Sequence, residues 1–145
     1  MSESERFERW RGPVVAGLIF AGVLIVAYWV AWAVDRDLVA SRTTSAYYSF
    51  EDGFVLADAW LLIAVTAAAV QLARRRPSAL LWLIAAGGAG VYLLAMDVLY
   101  DLRHGIYARG RGGLIELVID LLLLVGSTGV LAWSWRYRES VLGRR

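Results

Sequence analysis

Four long apolar blocks constrain the fold of this chain more than any other feature. They cover residues 14–34, 54–73, 80–99 and 114–135. A helix needs about 20 residues to cross a hydrocarbon core about 30 Å thick, and each block meets that length. The sequence therefore predicts an all-α fold, a four-span transmembrane bundle of two antiparallel helical hairpins. A chain of 145 residues has room for one such domain, 1–145.

The first block has a second interpretation, a cleaved signal peptide. The tripeptide AWA at 31–33 imitates the small-residue pattern of a cleavage site. However, the apolar stretch is longer than the roughly 7–15 residues of a typical signal core, and glutamates mix with arginines in front of it. These two features favour a membrane span.

The arginines indicate how the bundle is oriented. Ten of them fall on one predicted side, namely Arg6, Arg9, Arg11, Arg74, Arg75, Arg76, Arg136, Arg138, Arg144 and Arg145. Five fall on the other side, namely Arg36, Arg42, Arg103, Arg109 and Arg111. Because basic residues concentrate in cytoplasmic loops, both termini are predicted to be cytoplasmic, with loops 35–52 and 100–113 outside. The arginine- and alanine-rich composition suggests a bacterial multi-pass protein of the inner (plasma) membrane.

The same distribution bears on partners. A pI near 9.2 could suggest nucleic-acid binding, but the arginines sit in short segments at the predicted membrane ends. We therefore expect that the chain does not bind nucleic acid. Its expected partners are the lipid bilayer and either further copies of the chain or a partner membrane protein. The chain contains no cysteine and no lysine. Thiolate chemistry, disulfide exchange and Schiff-base chemistry are thereby excluded.

Three of the predicted spans each carry one carboxylate inside the membrane. At 1.5 Å per residue, Asp97 lies about 9 Å before the polar end of span three. Asp120 lies about 10 Å after the start of span four, and Asp58 about 13 Å after Ser49. An acid at this depth is costly facing lipid, so the three should converge on the interior of the bundle. Intramembrane acids of this kind favour a functional site.

Further candidate residues for this site lie near the three acids. Asp101 follows Asp97 by four residues, and Glu116 precedes Asp120 by four, which gives two acidic stripes. Tyr28 and Trp32 are one turn apart at the corresponding level of span one. These residues, with His104, complete the predicted binding site centred on Asp97.

Asp97 and Asp101 should be the least compensated of these acids. Span three is predicted to end on the outer side of the membrane, which places both carboxylates at the unfavourable negative end of a helix dipole. They need a proton, a hydrogen-bond donor or a cation. Arg103, His104 and Arg109 are local candidates for that cation, and a bound metal ion or a cationic substrate is another.

Local patterns also predict parts of the scaffold. Ser49 and Asp52 have the spacing of a capping box that would begin the second helix, which predicts structural roles for Glu51 and Asp52. The segment AAGGAG at 85–90 predicts a close packing seam, with alanines of span two as its partner surface. Gly12-Pro13 would begin the first span.

Three functions fit these residues. The first is an outward-facing, acidic, aromatic-walled intramembrane site that binds or carries a cation or a cationic small molecule boxed by Trp32, Trp60 and tyrosines. The second is an intramembrane enzyme acting on a lipid or isoprenoid by acid/base or Mg-assisted chemistry. The third is an accessory subunit of a larger membrane complex. Catalytic residues, metal ligands and cofactors are not assigned.

In layout the chain is similar to small four-span families such as DoxX-type proteins and the emopamil-binding group. The emopamil-binding group also combines intramembrane acids with tryptophan. No motif matches either family residue by residue, so the resemblance implies no residue roles.

Overall fold

The computed structural model describes residues 2–40 and 42–143. Within them the chain forms helices and no strand. The α-helices are α1 (Glu3–Val34), α2 (Ser45–Asp52), α3 (Val55–Ala73), α4 (Ala79–His104), α5 (Gly110–Arg136) and α6 (Arg138–Leu142). Short 3₁₀ turns cover Arg36–Leu38 and Ile106–Ala108.

Four helical segments of the described chain are long and apolar enough to cross a membrane. They are Glu3–Val34, Ser45–Ala73, Ala79–His104 and Gly112–Arg136, where the second comprises α2 and α3 together. Large apolar side chains such as Leu56 and Val125 lie exposed on their outer faces. In water such a surface would be unfavourable, whereas lipid is its natural solvent. The all-helical fold and the four predicted apolar helices are thus confirmed.

The first helix begins earlier than predicted. A capping box at Ser2 sets its start: the Ser2 hydroxyl accepts from the Glu5 amide at 3.2 Å, and the Glu5 carboxylate accepts from the Ser2 amide at 2.6 Å. Pro13, which was predicted to open the helix, therefore lies inside it. The proline cannot donate to the preceding turn, but the helix continues on both sides.

The second helix also begins earlier than predicted. Thr44, not Ser49, is its N-cap, and the Thr44 hydroxyl accepts from the Tyr47 amide at 3.3 Å. Ser49 lies inside α2, and Asp52 is the last residue of that helix. The predicted capping box is wrong because a hydroxyl one and a half turns upstream caps the chain first. This shift frees Glu51 and Asp52 for contacts with other helices.

The long helices pack in sequence, α1 on α3, α3 on α4 and α4 on α5. Small and branched side chains fill the α3–α4 interface, including Ala64, Ala68, Leu72 and Leu83. Close approach of small residues replaces the hydrophobic driving force that lipid does not provide.

The glycine seam of α4 faces α5 rather than span two. A Cβ added to Gly87 would meet Leu131 of α5, and one added to Gly90 would meet the Ser127 hydroxyl. Gly88, in contrast, has open space around it. The predicted close packing is present, but its predicted partner surface was wrong, since the composition of a seam does not say which helix covers it.

The two outermost helices meet only near one end. Phe7 of α1 stacks on Trp133 of α5 with ring centroids 5.6 Å apart and lies beside Tyr137 at 6.1 Å. Above this aromatic contact, α1 and α5 do not pack along each other's length in the described part of the chain. The bundle is therefore open between them, with α3 and α4 behind the opening.

Candidate functional site

The opening between α1 and α5 forms a cavity of about 690 Å³, which we call the groove. Its walls are mostly apolar, and glycines at 17, 126 and 129 leave space along it. Trp133 lies at its lower end, next to the Phe7 contact. Polar side chains line the opposite end, namely Tyr28, Glu51, Asp58, Asp97 and Glu116. The groove is thus amphipathic along its length.

Carboxylates from four helices gather at this polar end. We define the acidic cluster as Glu51 of α2, Asp58 of α3, Asp97 and Asp101 of α4, and Glu116 and Asp120 of α5. Asp97 is the member that feels repulsion from Glu51, Glu116, Asp101 and Asp120 together. The sequence-based inference that acids from separate spans converge is consistent with this arrangement.

Aromatic donors from α1 hold the acids of α2 and α3. The Tyr28 hydroxyl donates to Glu51 at 2.8 Å, and the Trp29 indole donates to Asp58 at 2.9 Å. The Trp32 indole donates to Asp52 at 3.1 Å. Because the three donors lie within little more than one turn of α1, they attach that helix to α2 and α3 at the acidic end.

Tyrosines also hold the two acids of α5. The Tyr47 hydroxyl donates to Glu116 at 3.0 Å. The Tyr107 hydroxyl, from the turn between α4 and α5, donates to Asp120, which is only 6% exposed. Burial and the hydrogen bond to the Asp120 carboxylate raise the pKa of the Tyr107 phenol above its usual value. Tyr107 therefore stays a donor throughout the physiological range.

The acids of α4 lack such donors. Within residues 2–40 and 42–143, no hydrogen bond or ion pair reaches Asp97, which is half-buried against the groove. Asp101 is only 5% exposed, and its Oδ2 is buried with no hydrogen-bond partner among the described residues. A buried carboxylate without a partner is costly, so these two groups require a proton or an external partner.

Among the described basic side chains, the local candidates do not pair with the acids of α4. Arg103 is exposed, and Arg109 donates to the backbone oxygen of His104 at 3.3 Å. The ion pairs in the described part of the chain lie elsewhere, such as Arg36–Asp52 at 3.5 Å and Arg75–Glu8 at 3.1 Å. The local cations proposed from the sequence therefore do not pair with Asp97 or Asp101.

The carboxylates of the cluster do not form a metal centre. Among the described residues, no three histidine or acidic side chains converge closely enough to hold one metal ion. Hard cations such as Ca²⁺ and Mg²⁺ are held by several oxygen ligands at 2.0–2.6 Å. The acids among the described residues do not offer such a shell.

The structure brings some of the predicted site residues to the groove and leaves others away from it. Asp58, Asp97, Glu116 and Tyr28 line the groove. Asp101 and Asp120 belong to the cluster but are buried and do not line the groove, and Trp32 is buried beside Asp52. His104 is exposed, stacks on Tyr100 with centroids 4.0 Å apart, and lies at the end of α4. Its neighbour Gly105 has φ +62°, as a helix-ending glycine should.

Several site residues were not predicted from the sequence. The sequence predicts a helix-cap role for Glu51 and no site role for Trp29, Tyr47 and Tyr107. One sequence signal could have pointed to these residues, because each aromatic donor lies at the same predicted membrane depth as an acid. The donor and its acid are far apart in the chain, so the sequence does not show which of them pair. Trp60, proposed as part of the aromatic box, instead lies half-exposed on the exterior, where it contacts Trp82.

No protein-family model, curated protein or solved structure matches the chain.

Proposed function

We propose that this membrane protein binds, or carries within the membrane, a cationic small molecule at the acidic end of the groove. The observation that carries the proposal is Asp97, a groove-lining carboxylate with no partner in the described part of the chain and four other acids close enough to repel it. A cation placed there would relieve the repulsion and supply the missing donor. Asp58 and Glu116 line the same space and would add to the attraction.

An organic amine fits better than a metal ion. The described acids do not converge as a metal shell, while the groove volume of about 690 Å³ lies within the range of about 300–1,000 Å³ typical of small-molecule sites. Tyr28 contributes an aromatic wall, and aromatic faces attract ammonium groups. The predicted excess of arginines on the opposite side would make this site face the outer leaflet.

The cavity also favours a binding role over an accessory subunit. If the acids served to meet basic groups of a partner protein, they would be expected on an outer face of the bundle. Asp58 and Asp97 instead line the groove inside the bundle, and Asp101 and Asp120 are buried. This difference supports a ligand that enters the bundle rather than a helix that packs beside it.

A thermal-melt panel tests the proposal. Wild type, Asp58→Asn, Asp97→Asn and Asp120→Asn, purified in detergent, are melted with hexylamine, tetramethylammonium, Mg²⁺ or Ca²⁺. A ligand that binds the folded state raises the midpoint. We expect a rise with an amine in wild type and none in Asp97→Asn. Glu139→Gln, which removes a charge from an exposed acid outside the cluster, should respond like wild type.

Two results would contradict the proposal. An amine response retained in Asp97→Asn would mean that this carboxylate does not receive the cation. No response to any cation, with all variants as stable as wild type, would move the accessory-subunit interpretation ahead.

A further inference from the structure

We infer that the ligand is a single-chain amphiphilic amine, with its head at the acidic cluster and its hydrocarbon tail in the groove between α1 and α5. The inference rests on the proposed function and extends it to a class of ligand. It depends on three observations, namely the continuity of the groove with the acids, its length and its side opening.

The groove is continuous from its polar end to its apolar end. One cavity holds Asp97 and Glu116 at its polar end and Val130 and Trp133 at its apolar end. A small hydrophilic amine would occupy only the polar end and leave the rest of the space unfilled. An amphiphile matches both ends, because its charge meets the carboxylates while its tail meets the aliphatic wall.

The length of the groove indicates a long tail. Glu116 and Trp133 are separated by about 25 Å along α5, at 1.5 Å per residue. One leaflet of the hydrocarbon core is about 15 Å deep, half of about 30 Å. The tail that fills the groove is therefore longer than a segment confined to one leaflet, and the Phe7–Trp133 contact closes the far end.

Small residues provide the width and the entrance. Gly17 of α1 and Gly126 and Gly129 of α5 line the groove, and a Cβ added to any of them would meet no atom within 4 Å. The two helices that carry these glycines do not pack on each other there, so the groove opens sideways. A lipid-soluble amine could thus enter from the bilayer without passing through water.

These glycines allow the tail to be tested separately from the head. Gly126→Leu and Gly17→Leu place a branched side chain in the groove, in positions with room for it, and remove a residue unfavourable in helices. Gly88→Leu is the matched control, because Gly88 is an exposed helical glycine with equally open surroundings that does not line the groove. Melting of the free proteins verifies that all three variants fold.

The experiment measures binding of radiolabelled hexadecylamine and hexylamine to the protein in phosphatidylcholine nanodiscs, with hexadecanol as competitor. Partitioning into the bilayer is the same for every variant, so differences between variants report the groove. We expect Gly126→Leu and Gly17→Leu to weaken hexadecylamine binding about tenfold, the equivalent of some ten lost carbon contacts. Hexylamine binding should stay unchanged, Gly88→Leu should match wild type, and Asp97→Asn should lose both amines.

The outcomes separate the tail from the head. If hexylamine and hexadecylamine bind wild type and Gly126→Leu alike, and Asp97→Asn loses both, the tail inference is overturned while the proposed function stands. If hexadecanol competes as well as hexadecylamine and Asp97→Asn keeps its affinity, the proposed function fails and the amine head is overturned with it. If neither amine binds wild type, both are overturned.

Discussion

Two sets of acids in this bundle differ in the hydrogen bonds that the fold gives them. Glu51, Asp52 and Asp58 of α2 and α3 each accept a hydrogen bond from an aromatic side chain of α1. Among the side chains that the structure describes, none donates such a bond to Asp97 or Asp101 of α4, and Asp101 Oδ2 is buried without a partner. The first set attaches helices to one another, while the second is left for a proton or a ligand.

This difference suggests that the hydrogen-bonded acids serve stability and that the acids without a partner serve ligand binding. A bonded acid should be costly to disturb, because removal of its donor leaves a buried carboxylate unsatisfied. An acid without a partner should cost little to neutralise and should matter only when the ligand is present. Substitutions at both kinds of acid, and at their donors, test this difference.

The largest effect is expected from Tyr107→Phe. It removes only a hydroxyl, but leaves the buried Asp120 without the donor that the structure gives it. We expect a loss of about 1–3 kcal/mol in the free energy of unfolding, measured by SDS titration in mixed micelles. Tyr92→Phe is the control, because Tyr92 is 65% exposed, and its effect should stay within about 0.5 kcal/mol.

The hydrogen-bonded pair Tyr107–Asp120 should also make the stability depend on pH. The pKa of Tyr107 is raised in the folded protein by burial and by Asp120, so folding favours the neutral phenol. The stability that this provides is complete below the ordinary tyrosine pKa of about 10 and is lost as the pH rises above it. The difference between wild type and Tyr107→Phe should therefore shrink above about pH 10, and a difference that grows there would contradict the assignment.

A smaller effect is expected from Tyr28→Phe. Glu51 loses the donor from α1 but keeps electrostatic contact with a second tyrosine, Tyr47. We expect a loss of about 1 kcal/mol, the usual net value of one hydrogen bond. SDS titration of Tyr28→Phe beside Tyr92→Phe measures it, and equal stability of the two variants would show that the α1 donors do not attach that helix.

Asp52→Ala should cost less still. Asp52 is exposed, and its contacts with Trp32 and Arg36 compete with water. Pairs in this setting contribute from 0 to about 1 kcal/mol. A loss above about 2 kcal/mol would mean that solvent exposure does not determine how much the hydrogen bonds of these acids contribute to stability.

The smallest effect on the free protein is expected from Asp97→Asn. The amide removes the repulsion from the neighbouring carboxylates without breaking a hydrogen bond found in the described residues. Unfolding stability should be unchanged or up to about 1 kcal/mol higher. If Asp97→Asn destabilised the protein as much as Tyr107→Phe, acids with an aromatic donor and acids without one would not differ in kind.

Much of this architecture could be predicted from local patterns. Hydropathy identifies the four apolar helices because a membrane span must be long and apolar whatever it packs against. Counting residues from the predicted ends also placed Asp58 and Asp97 near one level, and both line the groove. These inferences need only the rise of a helix.

Long-range pairing could not be predicted in the same way. Glu51 resembled part of a helix cap because its partner Tyr28 is 23 residues away and the true cap, Thr44, lies upstream. The glycine seam could have faced any helix, and it faces α5. The groove depends on which two helices fail to touch, a property of the whole bundle rather than of any segment.

The most direct test of the account is a calorimetric titration of the detergent-purified protein with hexylamine, comparing wild type, Asp97→Asn and Asp58→Asn. The account predicts saturable binding to wild type and a loss of about ten- to a hundredfold in Asp97→Asn, the value of one charge-assisted hydrogen bond. Asp58 already has Trp29 as a donor, so Asp58→Asn should lose less. Equal affinities for wild type and Asp97→Asn would contradict the claim that Asp97 is held for a cation.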